Sequence, residues 1–158
     1  MGVWKSTMEK LALNDSFWKN KSVLVTGHTG FKGGWLVMWL HSLGAKIHGY
    51  ALPPLSSPNL FVESNIESIL ESNTLADIRD EKTFEASIKS SKPDIIFHLA
   101  AQPLVRQSYI DPKETYSTNV MGTINLFEAV RKVSSVKALN NITTDKCYEN
   151  NETQNSFV

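Results

Sequence analysis

The glycine-rich stretch from Thr26 to Gly33 is the clearest place for chemistry in this sequence. Glycines at positions 27, 30 and 33 follow a short apolar, β-branched run and precede an amphipathic segment. A nucleotide pyrophosphate requires a tight turn, a backbone without Cβ atoms and a helix N-terminus that points at the anion. The spacing Gly-x-x-Gly-x-x-Gly therefore predicts a phosphate-binding turn, with a purely structural strand-to-helix turn as the alternative.

Two more groups of residues stand at the ends of later apolar runs. Asp77 and Ile78 end the third run, where a carboxylate can accept a hydrogen bond from an adenine amino group. A helix N-cap or turn aspartate explains Asp77 equally well. Leu99, Ala100 and Ala101 end the fourth run, and alanines at the carboxyl edge of a sheet let a cofactor approach the backbone. A packing site for small side chains is the alternative for these alanines.

Polar residues beyond the fourth and fifth runs are candidates for contacts with a substrate. Gln102 and Arg106 lie just past the fourth run and could reach a sugar or a nucleotide phosphate, although a solvated loop is an equal interpretation. Thr144, Asp145 and Lys146 follow the fifth run. By residue type alone, these three indicate a polar strand-to-loop turn with a surface ion pair.

The elements that must position these residues alternate between strand and helix. Strands are predicted over 22–26, 46–52, 74–76, 95–99 and 136–143, and helices over 31–43, 81–90 and from Pro112 to about Lys132, with 60–72 weakly helical. This alternation predicts an α/β fold: a doubly wound, Rossmann-like parallel sheet of about five strands in the order 3-2-1-4-5. The first helix is expected to bury a stripe of Leu36, Trp39, Leu40 and Leu43. His98 is interpreted as a strand-end core histidine rather than a base.

The domain boundaries follow from these elements. Residues 1–20 are interpreted as a polar N-terminal extension, 21–148 as a nucleotide-binding domain and 149–158 as a polar tail. A complete fold of this kind has six or more strands, so we expect a chain that is truncated after strand five. A C-terminal substrate domain is then absent.

Composition narrows the class of protein. The chain has 158 residues, and its 16 Lys and Arg balance 16 Asp and Glu, which argues against a nucleic-acid partner. A hydrophobic content of 41% predicts a globular domain. The single Cys147 excludes an internal disulfide and a multi-cysteine zinc site, and no metal site is predicted. No apolar run reaches the roughly 20 residues of a membrane span and no secretory signal opens the chain, so we expect a cytoplasmic protein.

Taken as a set, several of these motifs resemble the extended short-chain dehydrogenase/reductases over roughly residues 17–150. The set comprises Thr26 to Gly33, Asp77 with Ile78, His98 to Ala101, and Asn119. A narrower resemblance, to the CDP-glucose 4,6-dehydratases, is carried by the following segments: Gly27 to Trp35, Ala101 to Arg106 with Ser108 and Tyr109, Thr118 to Thr123, and Thr143 to Asn150. The last segment, Thr-Thr-Asp-Lys-Cys-Tyr-Glu-Asn, discriminates best, because epimerases of the superfamily usually lack its Asp-Lys pair.

The resemblance implies a cytoplasmic sugar-nucleotide enzyme with bound NAD that converts CDP-glucose to a 4-keto-6-deoxy product, and a possible homo-oligomer. The cofactor contacts carried over are Gly27, Thr29, Gly30, Phe31, Gly33, Asp77, Ile78, Leu99, Ala100, Ala101 and Asn119, and the substrate contacts are Gln102 and Arg106. In the implied reaction Thr144 hydrogen-bonds the C4 oxygen or assists a catalytic tyrosine. Asp145 protonates the leaving C6 hydroxyl and Lys146 accepts the C5 proton, which requires a lysine with a lowered pKa.

Two departures from the family pattern limit this assignment. The superfamily uses a Tyr-x-x-x-Lys pair after strand five, whereas the match at Tyr109 and Lys113 precedes the helix opened by Pro112. Cofactor choice is also open from the residues alone, because Tyr50-Ala51-Leu52 after strand two provides neither the carboxylate typical of NAD binding nor an arginine for NADP.

Three interpretations of the function remain open from the sequence alone. The first is the N-terminal cofactor-binding part of a CDP-glucose 4,6-dehydratase, inactive by itself. The second is a non-catalytic NAD-binding module or an inert gene fragment. The third is another NAD-dependent sugar-nucleotide dehydratase or epimerase.

Overall fold

The structure is a computed structural model of the chain, and it describes residues 16–144. The strands are β1 (Ser22–Thr26), β2 (Lys46–Ala51), β3 (Ser72–Leu75), β4 (Ile95–His98) and β5 (Ala138–Asn141). The helices are α1 (Phe31–Ser42), α2 (Leu60–Glu63), α3 (Glu81–Ser91), α4 (Val105–Ile110), α5 (Pro112–Tyr116) and α6 (Gly122–Arg131). A 3₁₀ turn spans Ile66–Ile69, and a π-helical turn, Ser117–Met121, joins α5 to α6. Within the described residues, no helix has the length and apolar character needed to cross a membrane.

All the strand pairs are parallel, and the sheet order is β3-β2-β1-β4-β5. This confirms the predicted α/β, doubly wound fold and its strand order. Parallel order follows from the crossover helices, since each helix returns the chain to the same starting edge. The carboxyl ends of all five strands therefore meet at one edge, together with the loops that follow them.

The central strand β1 is buried on both faces, as expected for a parallel sheet covered by helices. Val23 and Val25 contribute to one core cluster and Leu24 to the other. The first cluster lies under α1 and the 60–69 segment, and the second lies under α3 and α6. These two clusters pack on the two faces of β1 and so fix the position of its carboxyl end in the sheet.

The predicted stripe of α1 is wrong in part. Leu40 is 2% exposed as expected, but Trp39 is 54% exposed, and the buried residues are Gly33, Gly34, Val37 and Leu40. The core face of α1 runs through Gly33, Val37 and Leu40, which leaves Trp39 off that face, and the 60–69 segment approaches the helix at Gly34, where a Cβ would lie 2.9 Å from Cδ1 of Ile66. Glycines, rather than large apolar side chains, therefore face the core at the start of α1.

The region after β4 is more helical than its sequence indicates. The predicted helix from Pro112 is present, but it contains the π-helical turn before α6. The sequence pattern does not predict helix α4. This helix places Tyr109 on a different helix from Lys113. Residues 1–15 of the predicted extension over 1–20, and the whole predicted tail over 149–158, lie outside the described residues.

Substitutions in α1 test the corrected stripe. We expect Leu40→Ala to lower the free energy of unfolding by about 2–5 kcal/mol, because it empties a core position. Trp39→Ala is expected to change it by less than about 1 kcal/mol, because the indole is half exposed. Urea unfolding of the two variants measures both values, and a larger loss for Trp39→Ala would restore the original stripe.

Candidate functional site

A cleft of about 880 Å³ runs along the carboxyl edge of the sheet. It is lined by the turn after β1, the loop after β2, the ends of β3 and β4, and the residues after β5. Of the predicted cofactor contacts, those that line it are Gly27, Thr29, Gly30, Phe31, Gly33, Asp77, Ile78, Leu99, Ala100 and Ala101. The volume lies in the range of small-molecule sites.

The glycine turn is built for close contact between backbone segments. Gly27 has a φ of +74°, and its N–H donates to the carbonyl of Tyr50 at 2.9 Å. A Cβ at Gly33 would lie 2.1 Å from the carbonyl oxygen of Gly27, so α1 can start here only with glycine. Gly30, the N-cap of α1, makes no side-chain capping bond. The first N–H groups of α1 and its dipole are therefore available to an anion that enters the cleft.

The Thr26 hydroxyl joins the end of β1 to the end of β4. It accepts hydrogen bonds from the backbone N–H groups of Leu99 and Ala100, both at 3.1 Å. Both lone pairs of the oxygen are then in use, so its own hydrogen must go to Nδ1 of His98, 2.7 Å away. His98 is therefore neutral, with its proton on Nε2.

The environment of His98 agrees with this proton assignment. Burial lowers the pKa of His98 to about 4, and the side chain is 3% exposed. Its Nε2 faces the Thr123 hydroxyl at 3.4 Å, and that hydroxyl donates to the carbonyl of Asn119 at 2.7 Å. His98 is thus a structural histidine, as the sequence interpretation has it, rather than a base.

Asn119 acts on the loop after β4. Its Oδ1 accepts from the N–H of Gln102 at 2.7 Å, and its Nδ2 donates to the carbonyl of Gln102 at 3.1 Å. Asn119 is the one predicted cofactor contact that does not line the cleft. The π-helical turn, which the sequence did not reveal, contains this residue, and such turns often occur at functional sites.

The predicted substrate contacts, Gln102 and Arg106, lie on or just after the loop that Asn119 binds. The Gln102 side chain is tied into its own loop, since Oε1 accepts from the N–H of Leu104 at 2.6 Å and Nε2 donates to Thr115 at 2.9 Å. Arg106 is exposed on α4. Of these two residues, Arg106 has the side chain that extends into solvent.

Asp77 has a partner that the sequence analysis missed. Its carboxylate accepts from the Arg79 backbone N–H at 2.8 Å and from Nε of the same arginine at 2.9 and 3.0 Å. The Arg79 side chain therefore holds the pKa of Asp77 below its usual value. The side chain is 28% exposed and held in orientation by these bonds, and Asp77 lines the cleft. The spacing Asp-x-Arg after a strand is the signal that could have revealed this pair.

The far end of the cleft is reached by the residues after β5. Ile142 and Thr143 line it, and Thr144 is the last described residue. Asp145 and Lys146 lie outside the described residues. The structure therefore brings the cofactor candidates together and leads the chain toward the predicted catalytic run.

The lining of the cleft suits a dinucleotide. Among the described residues, its only charged side chains are Lys32, in the glycine turn, and Asp77. The loop after β2 contributes Leu52, Pro53, Pro54 and Leu55, so no carboxylate stands where a ribose 2′-hydroxyl is usually bound. The turn fits a pyrophosphate and Asp77 fits an adenine amino group.

Comparison with known proteins gives a consistent pattern. The family model of GDP-mannose 4,6-dehydratase matches residues 24–155. The chain is 53% identical to the CDP-glucose 4,6-dehydratase of Salmonella typhimurium over 140 residues, which cover 89% of this chain and 39% of that protein. The chain thus spans about two fifths of the length of this relative.

Solved structures show the same fold. The UDP-glucose 4-epimerase of Thermotoga maritima, solved with UDP-glucose, has a TM-score of 0.69 at 29% identity, covering 80% of this chain and 38% of that one. The Brucella ovis UDP-glucose 4-epimerase, solved with NAD, has a TM-score of 0.60 at 28% identity, covering 70% and 32%.

The close approach at Gly33 generates one prediction. Gly33→Ala is expected to lower the free energy of unfolding by about 3 kcal/mol or more, because a Cβ cannot fit beside the Gly27 carbonyl. Gly30→Ala is the control: its contact would be 3.3 Å and its φ of −79° suits alanine, so a change below about 1 kcal/mol is expected. Equal losses in thermal unfolding would show that the two glycines are not distinguished by this contact.

A second prediction concerns pH. The folded pKa of His98 is lowered from 6.5 to about 4, so the unfolded chain binds the proton first as the pH falls below 6.5. Stability is therefore full above 6.5, and about 2 kcal/mol of unfolding free energy is lost through this group between pH 7 and pH 5.

His98→Asn is the matched variant, because its amide keeps an acceptor for the Thr26 hydroxyl but does not titrate. Its stability should fall less steeply between pH 7 and pH 5 than that of the wild type, as measured by urea unfolding. The same slope in both proteins would place the titration elsewhere.

Proposed function

The chain belongs to the GDP-mannose 4,6-dehydratase family, and from that premise we propose that it is the N-terminal, cofactor-binding part of a CDP-glucose 4,6-dehydratase. The observation that supports this choice is the 53% identity to the Salmonella enzyme, against 28% to the GDP-mannose 4,6-dehydratase of Vibrio cholerae. The chain matches 39% of the Salmonella protein, so the activity of the whole is part of the proposal. A cytoplasmic location and homo-oligomeric assembly stay predictions.

The proposed cofactor is NAD, held by the residues that line the cleft. The pyrophosphate lies on the turn from Gly27 to Gly33, where the uncapped start of α1 provides N–H donors. The Asp77 carboxylate accepts from the adenine amino group, and Ala100 and Ala101 leave room beside the end of β4. Asn119 contributes indirectly, through its two hydrogen bonds to the backbone of Gln102.

The proposed reaction removes one molecule of water from CDP-glucose. When bound, NAD would supply the hydride chemistry that oxidises C4 of the glucose and reduces C6, with loss of water across C5 and C6. The Thr144 hydroxyl hydrogen-bonds the C4 oxygen, Asp145 gives a proton to the leaving C6 hydroxyl, and Lys146 accepts the C5 proton. Atoms balance when a base such as the family's catalytic tyrosine takes the C4 hydroxyl proton and Lys146 returns its proton to C5 as the hydride arrives at C6; the products are water and a 4-keto-6-deoxy sugar nucleotide.

Arg106 is the proposed contact for a phosphate of the sugar nucleotide. It is exposed on α4, directly after the loop that Asn119 fixes. The Gln102 side chain, held by Leu104 and Thr115, shapes that loop and presents less free hydrogen-bonding capacity than the sequence indicates. An epimerase activity is the second candidate, favoured by the fold of the epimerase structures.

Calorimetric titration with NAD tests the cofactor proposal. We expect saturable binding, weakened about tenfold by Asp77→Ala because one charged acceptor is lost. Glu128→Ala is the control, since Glu128 forms a similar acid-arginine pair with Arg131 on the surface of α6, away from the cleft.

CDP-glucose, GDP-mannose and UDP-glucose, each added to the NAD-loaded chain, test the substrate. We expect NAD binding without turnover, as for a cofactor-binding part that is inactive by itself; formation of a 4-keto-6-deoxy product from CDP-glucose supports the substrate assignment and contradicts this inactivity. Preference for another sugar nucleotide contradicts the substrate assignment, and a folded chain without NAD binding contradicts the cofactor assignment. Binding without turnover assigns the described residues the cofactor site only.

A further inference from the structure

His28 lies inside the glycine turn, yet it does not line the cleft. Its neighbours Gly27 and Thr29 do, whereas its own side chain is 0% exposed and points to the back of the turn. The ring lies flat against Gly49 of β2, where an added Cβ would come within 2.6–2.7 Å of three ring atoms. It also meets the edge of Phe61 at a centroid distance of 5.4 Å.

The hydrogen bonds of His28 have a defined direction. Its Nε2 is 2.8 Å from Oδ1 of Asn73, and Nδ2 of Asn73 donates to Oε1 of Glu67 at 3.0 Å. A carboxylate only accepts, so the amide nitrogen of Asn73 must face Glu67 and its oxygen must face the ring. Nε2 of His28 is therefore the donor.

Four segments consequently meet at one imidazole. They are the glycine turn, β2 through Gly49, β3 through Asn73, and the 60–69 segment through Phe61 and Glu67. The last segment also contributes Leu60 to the lining of the cleft. Because His28 is itself part of the turn, a displacement of its ring would shift its neighbours Gly27 and Thr29, which line the cleft.

We propose that His28 is a positioning residue for the cofactor: its bond to Asn73, oriented by Glu67, holds the glycine turn in the shape that accepts a pyrophosphate. This inference rests on the proposed function, since it assumes that the cleft binds a dinucleotide. The directional bond distinguishes it from simple filling of the core. A residue that only fills the core would need the volume of the ring, whereas a positioning residue also needs the N–H donor at Nε2.

The chain offers a matched control in His48. This residue lies on β2, and its Nδ1 is 2.8 Å from the Ser72 hydroxyl on β3. It thus ties β3 to β2, as the His28–Asn73 pair ties β3 to the glycine turn, but it does not line the cleft and belongs to no part of that turn. Loss of the His48 bond measures the effect of loosening β2 from β3 alone.

The experiment measures NAD affinity by calorimetry and the unfolding temperature for five proteins: wild type, His28→Leu, His28→Gln, Asn73→Ala and His48→Leu. We expect His28→Leu and Asn73→Ala to bind NAD about tenfold more weakly. His28→Gln keeps a side-chain N–H donor and is expected to recover part of the affinity, and His48→Leu should bind as the wild type does.

Asn73→Ala keeps the imidazole and its packing, so it decides the matter even where His28→Leu does not fold. NAD affinity of Asn73→Ala within about twofold of the wild type overturns the positioning role. Equal loss of affinity in His48→Leu also overturns it, because the effect then belongs to the strand pair. Absence of NAD binding by the folded wild type overturns the proposed function instead, and this inference with it.

Discussion

The start of α1 lies in contact with the turn that precedes it, and the geometry of the site depends on this contact. Gly33 approaches the Gly27 carbonyl so closely that a Cβ would stand 2.1 Å from the oxygen. The helix axis is thereby aimed at the space above the turn, and its uncapped N–H groups face the cleft. Because Gly27 also lies against the backbone of Ala100, the same turn fixes the distance to the end of β4.

Two buried histidines tie this turn to neighbouring strands. His98, at the end of β4, receives the Thr26 hydroxyl hydrogen, which leaves the Thr26 oxygen free to accept from the N–H groups after β4. His28, within the turn, donates to Asn73 on β3. Burial lowers the pKa of both imidazoles, so both are neutral near pH 7. Their neutral state lets them act as directional hydrogen-bonding groups instead of cations.

The sequence predicts the sheet well because its signals are local. β-branched runs, glycine turns and crossover helices indicate the strand order. Because the carboxyl ends of parallel strands share one edge, residues that follow the strands line the cleft there. Trp39 fits the predicted stripe by spacing, but the face of α1 that packs on the core includes Gly34, which lies against Ile66, a residue distant in sequence. The π-helical turn and the Arg79 partner of Asp77 are local features that the periodicity of apolar residues does not encode, and the Asp-x-Arg spacing was the available signal for the pair.

The cleft has few charged side chains, and much of the structure around it serves to position backbone groups. Among its described lining residues, Lys32 is the one cation that a phosphate could meet. Asp77 is the one anion, and it is already paired with Arg79. In the proposed function, recognition of the pyrophosphate then comes largely from N–H groups at the start of α1, whose hydrogen bonds depend on distance and direction. A side chain can adjust by rotation, but a backbone donor cannot. The site therefore relies on close-packed glycines, the Thr26 hydroxyl and two neutral imidazoles, each of which constrains the main chain.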